Sequence, residues 1–503
     1  MSDDRTPILI GVGQLVQRDV DPREALNPFE MIDRVAAAAA EDAGGGRALL
    51  ERLDTLALVN LGLRQMQNAP RIAAERLGAT PRHEFVSEMG GQIGVTLANF
   101  VAERITRGES RIALIAGANN MRTLMKARQQ GVDLDWPTGG EGTPEMVGKL
   151  EPGNSKEEAR YGLGRPSHIY PIFENALRAA RGLDLETHNR RVGDLFSRFS
   201  KVASENPYAW FPVHRSPEEL VTVTPQNRMI AFPYPKYLNA VLNTDQAAAF
   251  LMTSVEAART LGVPEDRWVY WWGGAHTQEQ AWWASERPNF AQCPAMLDAS
   301  GSALENAGVS SDELDAIDFY SCFPIAVELA AAQLGLAEDD PRLFTVTGGL
   351  PYAGGPASAY CLHSIASMAE RLREHPGSKG LVTGNGWYLT KHAASVWSSE
   401  RKPGGLPRNG LVNPLPGDQM ERAPAPAVTE AHGPGSIETY TVVFDREGAP
   451  ARGIVLGRLL DGRRFLANTP DERSLLESFV ASEEVGREGK LSHQDGLNRF
   501  DPS

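Results

Sequence analysis

The sequence predicts a duplicated α/β fold, with a long insertion in its first copy and a small β-domain on its C-terminal side. Three observations support this expectation. Apolar runs alternate with helical patterns in residues 1–120, a similar order of motifs returns after residue 262, and the composition changes after residue 400. Alternation of strands and helices favours a largely parallel sheet that helices cover on both faces.

The first copy opens with "PILIGVGQL", an apolar run typical of a buried strand. A helical pattern follows, which Asn27 and Pro28 open and Gly44 closes. The next runs predict, in order, the strand "LDTLALVN", the helix "RIAAERLGA", the strand "HEFVSE", the helix "GVTLANFVAERITRG" and the strand "RIALIAGANN".

The alternation stops in residues 121–234, which are polar and rich in proline and glycine. Two helical patterns stand within them, "SHIYPIFENALRAARG" and "ETHNRRVGDLFSRFSKVASEN". Long inserts in compact folds are usually functional. We therefore predict an insertion domain here and assign residues 1–120 and 235–262 to the first copy.

An internal repeat predicts the second copy, residues 263–400. The segment "MGGQIGVTLANFVAERITRGESRIALIAGANN" parallels "AGGPASAYCLHSIASMAERLREHPGSKGLVTGNGW", and "LDTLALVN" parallels "LDAIDFYS". The spacing from Arg104 to Gly117 equals that from Arg371 to Gly384. Several matches in the same order indicate a duplicated unit.

The last hundred residues differ in composition. Residues 401–430 are rich in proline and glycine, which predicts a linker. Residues 431–503 contain short strand-like runs broken by glycine, aspartate and asparagine, together with the helical pattern "DERSLLESFVAS". We expect a small domain of the β-barrel type.

Composition narrows the class of protein. The formal net charge of -14 on 503 residues leaves no basic surface for nucleic acid or anionic membranes. The three cysteines lack CxxC spacing, which argues against a disulfide framework and against structural zinc. The acidic N-terminus and the absence of a run of eighteen apolar residues argue against targeting and membrane insertion. We expect a cytoplasmic protein whose partner is a small molecule.

Several segments resemble the thiolase superfamily. "NAPRIAAERLGA", "RIALIAGANNM" and "LNTDQAAAFLMTS" are similar to its elements, and "LDAIDFYSCFPIAVELA" is similar to the His-Asp-Cys-Phe segment of the sterol-carrier-protein-2 thiolases. "GGLPYAGGPASA" is similar to the family's Gly-Gly-x-x-x-x-Gly-His-Pro stretch. Within the superfamily, the chain resembles the thiolase-like proteins with an additional C-terminal domain, and that domain resembles OB-fold partners of acyl-CoA-handling relatives.

The resemblance implies a five-layered α-β-α-β-α fold and a pocket between the N-termini of the two central helices. It implies an acyl-CoA thioester as substrate, no tightly bound cofactor, a place in lipid metabolism and, as in thiolases, a possible homodimer. Two departures stand out. The nucleophilic cysteine of thiolases falls at Gly90 or Gly91, and the histidine of Gly-His-Pro is replaced by Gly355.

Cys322 is the one proton-handling residue of the sterol-carrier-protein type that remains. It stands where a strand ends and a helix begins, and a helix N-terminus favours the thiolate. Free cysteines are also often small buried hydrophobes. The paired glycines Gly90-Gly91 and Gly354-Gly355 precede the central helices and allow backbone N–H groups to approach a ligand oxygen. Asn385 in "TGNGWY" is a further donor for an oxyanion.

Three other side chains are candidates. Tyr320 and Tyr352 stand in loops that the fold would bring to one pocket, where a phenol can act as acid or base or simply line an apolar site. His363, on the predicted helix 357–374, stands beside the apolar stripe. It is either a hydrogen-bonded core residue or a substitute for the lost imidazole. Cys361 and His363 point to different faces of that helix, so no metal site is expected.

Three functions fit these observations. The first is an acyltransferase-like enzyme that makes or breaks a C–C bond next to a CoA thioester, with Cys322 as acid or base and glycine amides at the oxyanion. The second is a retro-aldol lyase that uses tyrosines on an acyl-CoA. The third is a non-catalytic acyl-CoA binding protein, since the standard nucleophile is missing.

Overall fold

A computed structural model describes residues 4–62, 67–406 and 424–503. The first part of the chain alternates strands and helices as the sequence predicts: β1 Pro7–Val16, α1 Pro28–Asp42, β2 Thr55–Leu58, α2 Ala69–Leu77, β3 His83–Ser87, α3 Ile93–Arg107 and β4 Ile112–Asn120. Helix α1 begins where expected because Asn27 and Glu30 form a capping box and Pro28 occupies the first turn.

The predicted insertion is mainly helical. Its elements are α4 Met121–Gln130, β5 Glu145–Val147, α5 Lys156–Arg160, α6 Pro166–Ala180, α7 Leu185–Glu205, α8 Pro217–Val221, β6 Met229–Ala231 and β7 Tyr234–Pro235. Its strands join two different sheets, because β5 pairs with β3 and β6 pairs with a strand of the C-terminal domain.

The remaining elements of the first copy and those of the second follow. They are β8 Asp245–Ser254, α9 Val255–Leu261, β9 Val269–Gln278, α10 Pro294–Ala307, β10 Ala316–Asp318, α11 Pro324–Gln333, α12 Tyr360–Glu374, β11 Lys379–Gly386 and β12 Lys391–Ser398.

The two copies have the same strand order, which confirms the duplication. The large sheet runs β10-β11-β12-β9-β1-β8-β4-β2-β3-β5. The order β2-β4-β8-β1 in the first copy therefore corresponds to β10-β11-β12-β9 in the second. The pairing directions also agree, since β2 with β4 and β10 with β11 are parallel, whereas β4 with β8 and β11 with β12 are antiparallel.

The layers follow from the helix packing. Helices α3 and α12 contact each other and strands of both copies, so they form the central layer. Helices α1 and α2 cover the first copy on its outer face, and α10 covers strands of the second. Because the central helices are enclosed by both copies, their faces are apolar and buried. The strands of the two copies thus form the sheet layers on either side of the central helices, and the covering helices form the outer layers. This is the expected five-layered arrangement.

The C-terminal domain is a small closed barrel. Its elements are β13 Ala427–Val428, β14 Gly433–Phe444, β15 Pro450–Leu459, β16 Arg464–Asn468, α13 Arg473–Ala481, β17 Glu488–Gln494 and β18 Leu497–Pro502. Strands β14, β15, β16, β18 and β17 pair in that order, and β17 returns to β14. This closed ring of five strands confirms the predicted barrel-type domain. Much of the predicted linker, residues 407–423, lies outside the described residues.

The barrel contacts the insertion rather than standing apart. The side-chain amide of Asn175 on α6 donates to the carbonyl oxygen of Tyr440 at 2.9 Å. The hydroxyl of Thr439 donates to the carbonyl oxygen of Ile172 on the same helix. Within the described ranges, no helix is long and apolar enough to cross a bilayer.

Candidate functional site

A cavity of about 690 Å³ lies where the two central helices begin. Met89, Gly90 and Gly91 line it just before α3, and Ala357 and Ser358 line it just before α12. The two segments touch, because the amide of Gly90 donates to the hydroxyl of Ser358 at 3.2 Å. The volume is in the range of small-molecule sites.

The exposed lining residues mark the opening of this cavity. Arg165, Lys236 and Leu242 are exposed, whereas Tyr170 and Cys322 are buried. The opening thus carries two cationic side chains, and the interior is apolar with a few polar groups. Such a division suits a ligand that has an anionic part and an apolar part.

Three polar side chains meet at the buried end of the cavity. The amide of Asn385 donates to the hydroxyl oxygen of Tyr170 at 2.9 Å and lies 3.8 Å from the sulfur of Cys322. The Tyr170 hydroxyl donates to the carbonyl oxygen of Trp387 at 2.9 Å. Among the described residues, Asn385 Oδ1 has no hydrogen-bond partner. An unsatisfied buried acceptor is costly and suits a ligand donor.

The thiol of Cys322 is protonated at neutral pH. Burial raises the pKa of this thiol to about 12, although the N-terminus of α11 lies next to it. Desolvation outweighs the helix dipole here, because the charged form loses its water entirely. Cys322 can therefore donate a proton or hydrogen bond, but it is not preformed as a thiolate.

The phenol of Tyr320 occupies the space of a side chain at position 91. A Cβ atom added to Gly91 would lie 2.1 Å from the hydroxyl oxygen of Tyr320 and 2.4 Å from the carbonyl oxygen of Asn385. Burial, followed by the nearby Cys322 thiol, raises the pKa of Tyr320 well above 10. At position 91, where thiolases carry the nucleophile, this chain has a glycine whose backbone lies next to the protonated phenol of Tyr320.

Some residues of the cavity wall have positive φ values. Gly90 has φ +153°, and a Cβ there would lie 2.2 Å from Gln92 Oε1. Two lining residues other than glycine have positive φ values, Ala357 at +49° and Trp387 at +56°. Such strain persists where surrounding structure holds it, typically at ligand sites.

The structure places His363 outside the cavity. It lies on α12, buried, with Nδ1 2.8 Å from the side-chain oxygen of Gln14 on β1. Burial lowers the pKa of His363 to about 4, so the imidazole is neutral. The helix turns this side chain toward the first copy and away from the ligand space, because the position is part of the helix's buried face.

Three further predicted residues also lie outside the lining. Tyr352 packs edge-on against Phe196 of α7 and is buried in the insertion contact. A Cβ at Gly354 would lie 2.2 Å from Gln246 Oε1, so this glycine permits a close backbone approach. The amide of Gly355 donates to the carbonyl oxygen of Val241 at 2.9 Å and is not free for a ligand.

Residues of the insertion were missed by the sequence analysis. Tyr170 stacks on Phe323 with ring centroids 4.4 Å apart, directly beside Cys322. Arg165 of the insertion and Lys236, which follows the insertion, lie at the opening. The one available signal was that Tyr170 shares the apolar stripe of its helix with Phe173, where a buried phenol needs a polar partner.

Comparisons with known proteins agree with this architecture. A family model described as the thiolase-like protein type 1 additional C-terminal domain matches residues 414–496. No curated protein matches the sequence. Among solved structures, a monomeric SCP2-thiolase like protein type 1 from Mycobacterium smegmatis is 35% identical, with 100% of both chains covered and a TM-score of 0.85.

Two more distant structures share the fold. The Ltp2-ChsH2(DUF35) aldolase is 19% identical, with 79% of this chain and 99% of that chain covered and a TM-score of 0.57. The acetyl-CoA acetyltransferase from Syntrophomonas wolfei is 16% identical, with 79% and 100% covered and a TM-score of 0.58. Since the 35% identity extends over the whole of both chains, this chain belongs to the SCP2-thiolase-like protein type 1 family of the thiolase superfamily.

Proposed function

We propose that the protein binds an acyl-CoA in the 690 Å³ cavity and makes or breaks a C–C bond next to the thioester without forming an acyl-enzyme. One observation carries the proposal. The space that a nucleophile at position 91 would need is filled by Tyr320 and Asn385, yet the thiol of Cys322 remains in the same cavity.

The opening supports a CoA ester as ligand. Arg165 and Lys236 are cationic groups for phosphate oxygens in a protein whose net charge is -14. A shallower cavity beside it shares Lys236 and Ile230 with the first and adds Arg228. The nucleotide would lie there against the insertion, and the acyl group would occupy the apolar interior.

The buried polar groups suit enolate chemistry. When the C–C bond forms, the enolate of one acyl-CoA attacks the thioester carbon of a second and free CoA leaves. When it breaks, the thiol of free CoA attacks the β-carbonyl carbon, and the electron pair of the broken bond passes to the thioester carbonyl as an enolate oxygen. Donors aimed at that oxygen stabilise the transition state. The Gly91 amide and the Tyr320 hydroxyl would serve, whereas the Asn385 amide would first have to leave Tyr170. The protonated Cys322 thiol would then return a proton to the α-carbon.

A retro-aldol lyase is the second candidate function. It is favoured by the two phenols, Tyr170 and Tyr320: burial, and then the nearby Cys322, raises the pKa of each well above 10. In this reaction a phenol would exchange a proton with the β-hydroxyl group while the bond between the α- and β-carbons breaks. The products would be a shorter acyl-CoA and an aldehyde or ketone, with CoA still esterified.

A panel of linear and branched 3-oxoacyl-CoA and 3-hydroxyacyl-CoA esters tests the proposal. We expect binding heat with wild-type protein, and release of either free CoA or a carbonyl product. Cys322→Ala should keep the binding heat and lose activity by about 100-fold or more. Cys293→Ala is the matched control, since Cys293 is buried outside this cavity.

The opposite outcomes are equally clear. Binding heat without turnover of any ester would identify a non-catalytic acyl-CoA binding protein. Full activity in Cys322→Ala would remove Cys322 from the mechanism, and free CoA as against a carbonyl product distinguishes the two candidate reactions.

We further propose that the chain is a monomer rather than the homodimer expected from its sequence. The edge of β3 is covered by β5, through the pairs Phe85 with Glu145 and Ser87 with Val147. A covered edge cannot pair with a second copy, and the M. smegmatis relative is described as monomeric. Analytical ultracentrifugation should give 54.6 kDa; twice that mass would restore the dimer.

A further inference from the structure

Three buried side chains converge between the insertion and the second copy. Glu174 lies on α6, His188 on α7 and Glu328 on α11, and each is at most 1% exposed. One ligand atom from each lies within 4.8 Å of the other two. The three residues do not form a known spacing motif, so the sequence pattern does not predict the group.

Each of the three has an atom without a hydrogen-bond partner among the described residues. These atoms are Glu174 Oε1, Glu328 Oε2 and both ring nitrogens of His188. His188 Nε2 lies 2.7 Å from Glu174 Oε1, but that contact lacks hydrogen-bond geometry. Buried polar atoms of this kind are rare in folded proteins and call for an explanation such as a bound ion.

The other oxygen of each carboxyl group is held by the protein. The hydroxyl of Tyr234 donates to Glu174 Oε2, and Arg181 donates to Glu328 Oε1 at 2.6 Å. Both carboxyl groups are therefore fixed in place with one oxygen left over. A preorganised set of this kind reduces the cost of binding a ligand.

The charges of the group favour a cation. The carboxyl groups of Glu174 and Glu328 lie within hydrogen-bond reach of each other. Two adjacent buried carboxylates repel each other unless a proton or a cation lies between them.

We propose that Glu174, His188 and Glu328 bind one divalent transition-metal ion through Oε1, Nε2 and Oε2. One imidazole nitrogen and two carboxylate oxygens suit zinc, and three protein ligands leave a position for water. A separate cavity of about 510 Å³ has Glu328 and Arg181 in its wall.

The ion would connect the insertion to the core of the second copy. Helix α6 also carries Tyr170, and α11 follows directly after Cys322 and Phe323. A metal that joins these helices would hold the wall of the ligand cavity in place. Its role would be structural, and it stands independently of the reaction proposed above.

Metal analysis of untagged full-length protein tests the inference. After dialysis against ZnCl2 and removal of excess ion, we expect about one zinc per chain and, relative to EDTA-treated protein, a Tm higher by about 3 °C or more. Glu328→Gln should lose both the retained zinc and the Tm difference. Glu338→Gln is the matched control, since Glu338 also pairs with Arg181 but does not belong to the cluster.

Two results would overturn the proposal. Wild-type protein that retains no zinc and has the same Tm with ZnCl2 and with EDTA would show that the two carboxyl groups share a proton instead. Equal zinc retention in wild type and Glu328→Gln would place the ion elsewhere. Because the wild-type measurement needs no variant, poor folding of Glu328→Gln does not affect it.

Discussion

Replacing Gly91 with alanine is expected to lower the free energy of unfolding by about 2–3 kcal/mol. The added Cβ would meet the Tyr320 hydroxyl oxygen at 2.1 Å and the backbone oxygen of Asn385 at 2.4 Å. The phenol would have to move into the cavity that it lines, and the backbone oxygen cannot give way, because it belongs to β11, where Asn385 pairs with His392 of β12. Denaturant unfolding followed by fluorescence measures the change.

A second glycine provides the control for this experiment. Gly301 lies within α10, and a Cβ there would meet no heavy atom within 4 Å. Alanine at position 301 should leave stability unchanged or raise it by up to about 1 kcal/mol, since glycine is a poor helix former. Equal stability of Gly91→Ala and wild type would mean that there is room for a side chain at position 91.

Replacing Arg464 with methionine is expected to cost about 2–3 kcal/mol, because it removes the charge-assisted hydrogen bonds of a buried guanidinium, although Arg458 still pairs with Glu438. The Arg464 side chain is fully buried and donates to both oxygens of Glu438, at 2.9 and 2.7 Å. It also donates to the carbonyl oxygens of Ser285 and Arg287. One side chain thus joins the barrel to the second copy.

Calorimetry and limited proteolysis measure this effect. In Arg464→Met we expect an unfolding transition at lower temperature and earlier cleavage between the barrel and the rest. Arg463→Met is the control, because Arg463 is 62% exposed and pairs with Asp461 at the surface, where ion pairs contribute about 0–1 kcal/mol. Identical behaviour of the two variants would contradict the proposed role of Arg464 as the link.

The fold could be predicted from sequence because its signals are periodic and repeated. The alternation of strands and helices and the parallel between "RIALIAGANN" and "GLVTGNGW" correspond to β4 and β11, which hold equivalent places in the sheet. The barrel-type domain was predicted from the short strand-like runs that follow the change in composition. By contrast, β5 is three residues long, and its pairing with β3 depends on tertiary contacts that leave no local pattern.

The site could be predicted only where it belongs to the repeat. Gly90, Gly91, Tyr320, Cys322 and Asn385 all line the cavity, and all stand in segments identified by internal or family resemblance. The insertion residues Tyr170 and Arg165, and Lys236 just after the insertion, could not be placed, because nothing in their local sequence fixes how the insertion covers the core.

The residues that lie elsewhere show a second limit of sequence reasoning. The sequence left His363 open as either a hydrogen-bonded core residue or a substitute for the imidazole lost from the Gly-His-Pro stretch. The phase of a helix fixes which residues share a face, but it does not say which neighbour that face meets. In the structure the neighbour is β1, where Gln14 binds the imidazole.

The central claim is that this thiolase-like site acts on an acyl-CoA without a covalent intermediate. Intact-mass spectrometry of wild-type protein, acid-quenched during incubation with an ester that it binds, tests this most directly. We expect the mass of the unmodified chain at every time point, because the thiol of Cys322 is protonated and position 91 has no side chain. A mass increase equal to the acyl group, mapped by peptide analysis to Cys322, would contradict the account.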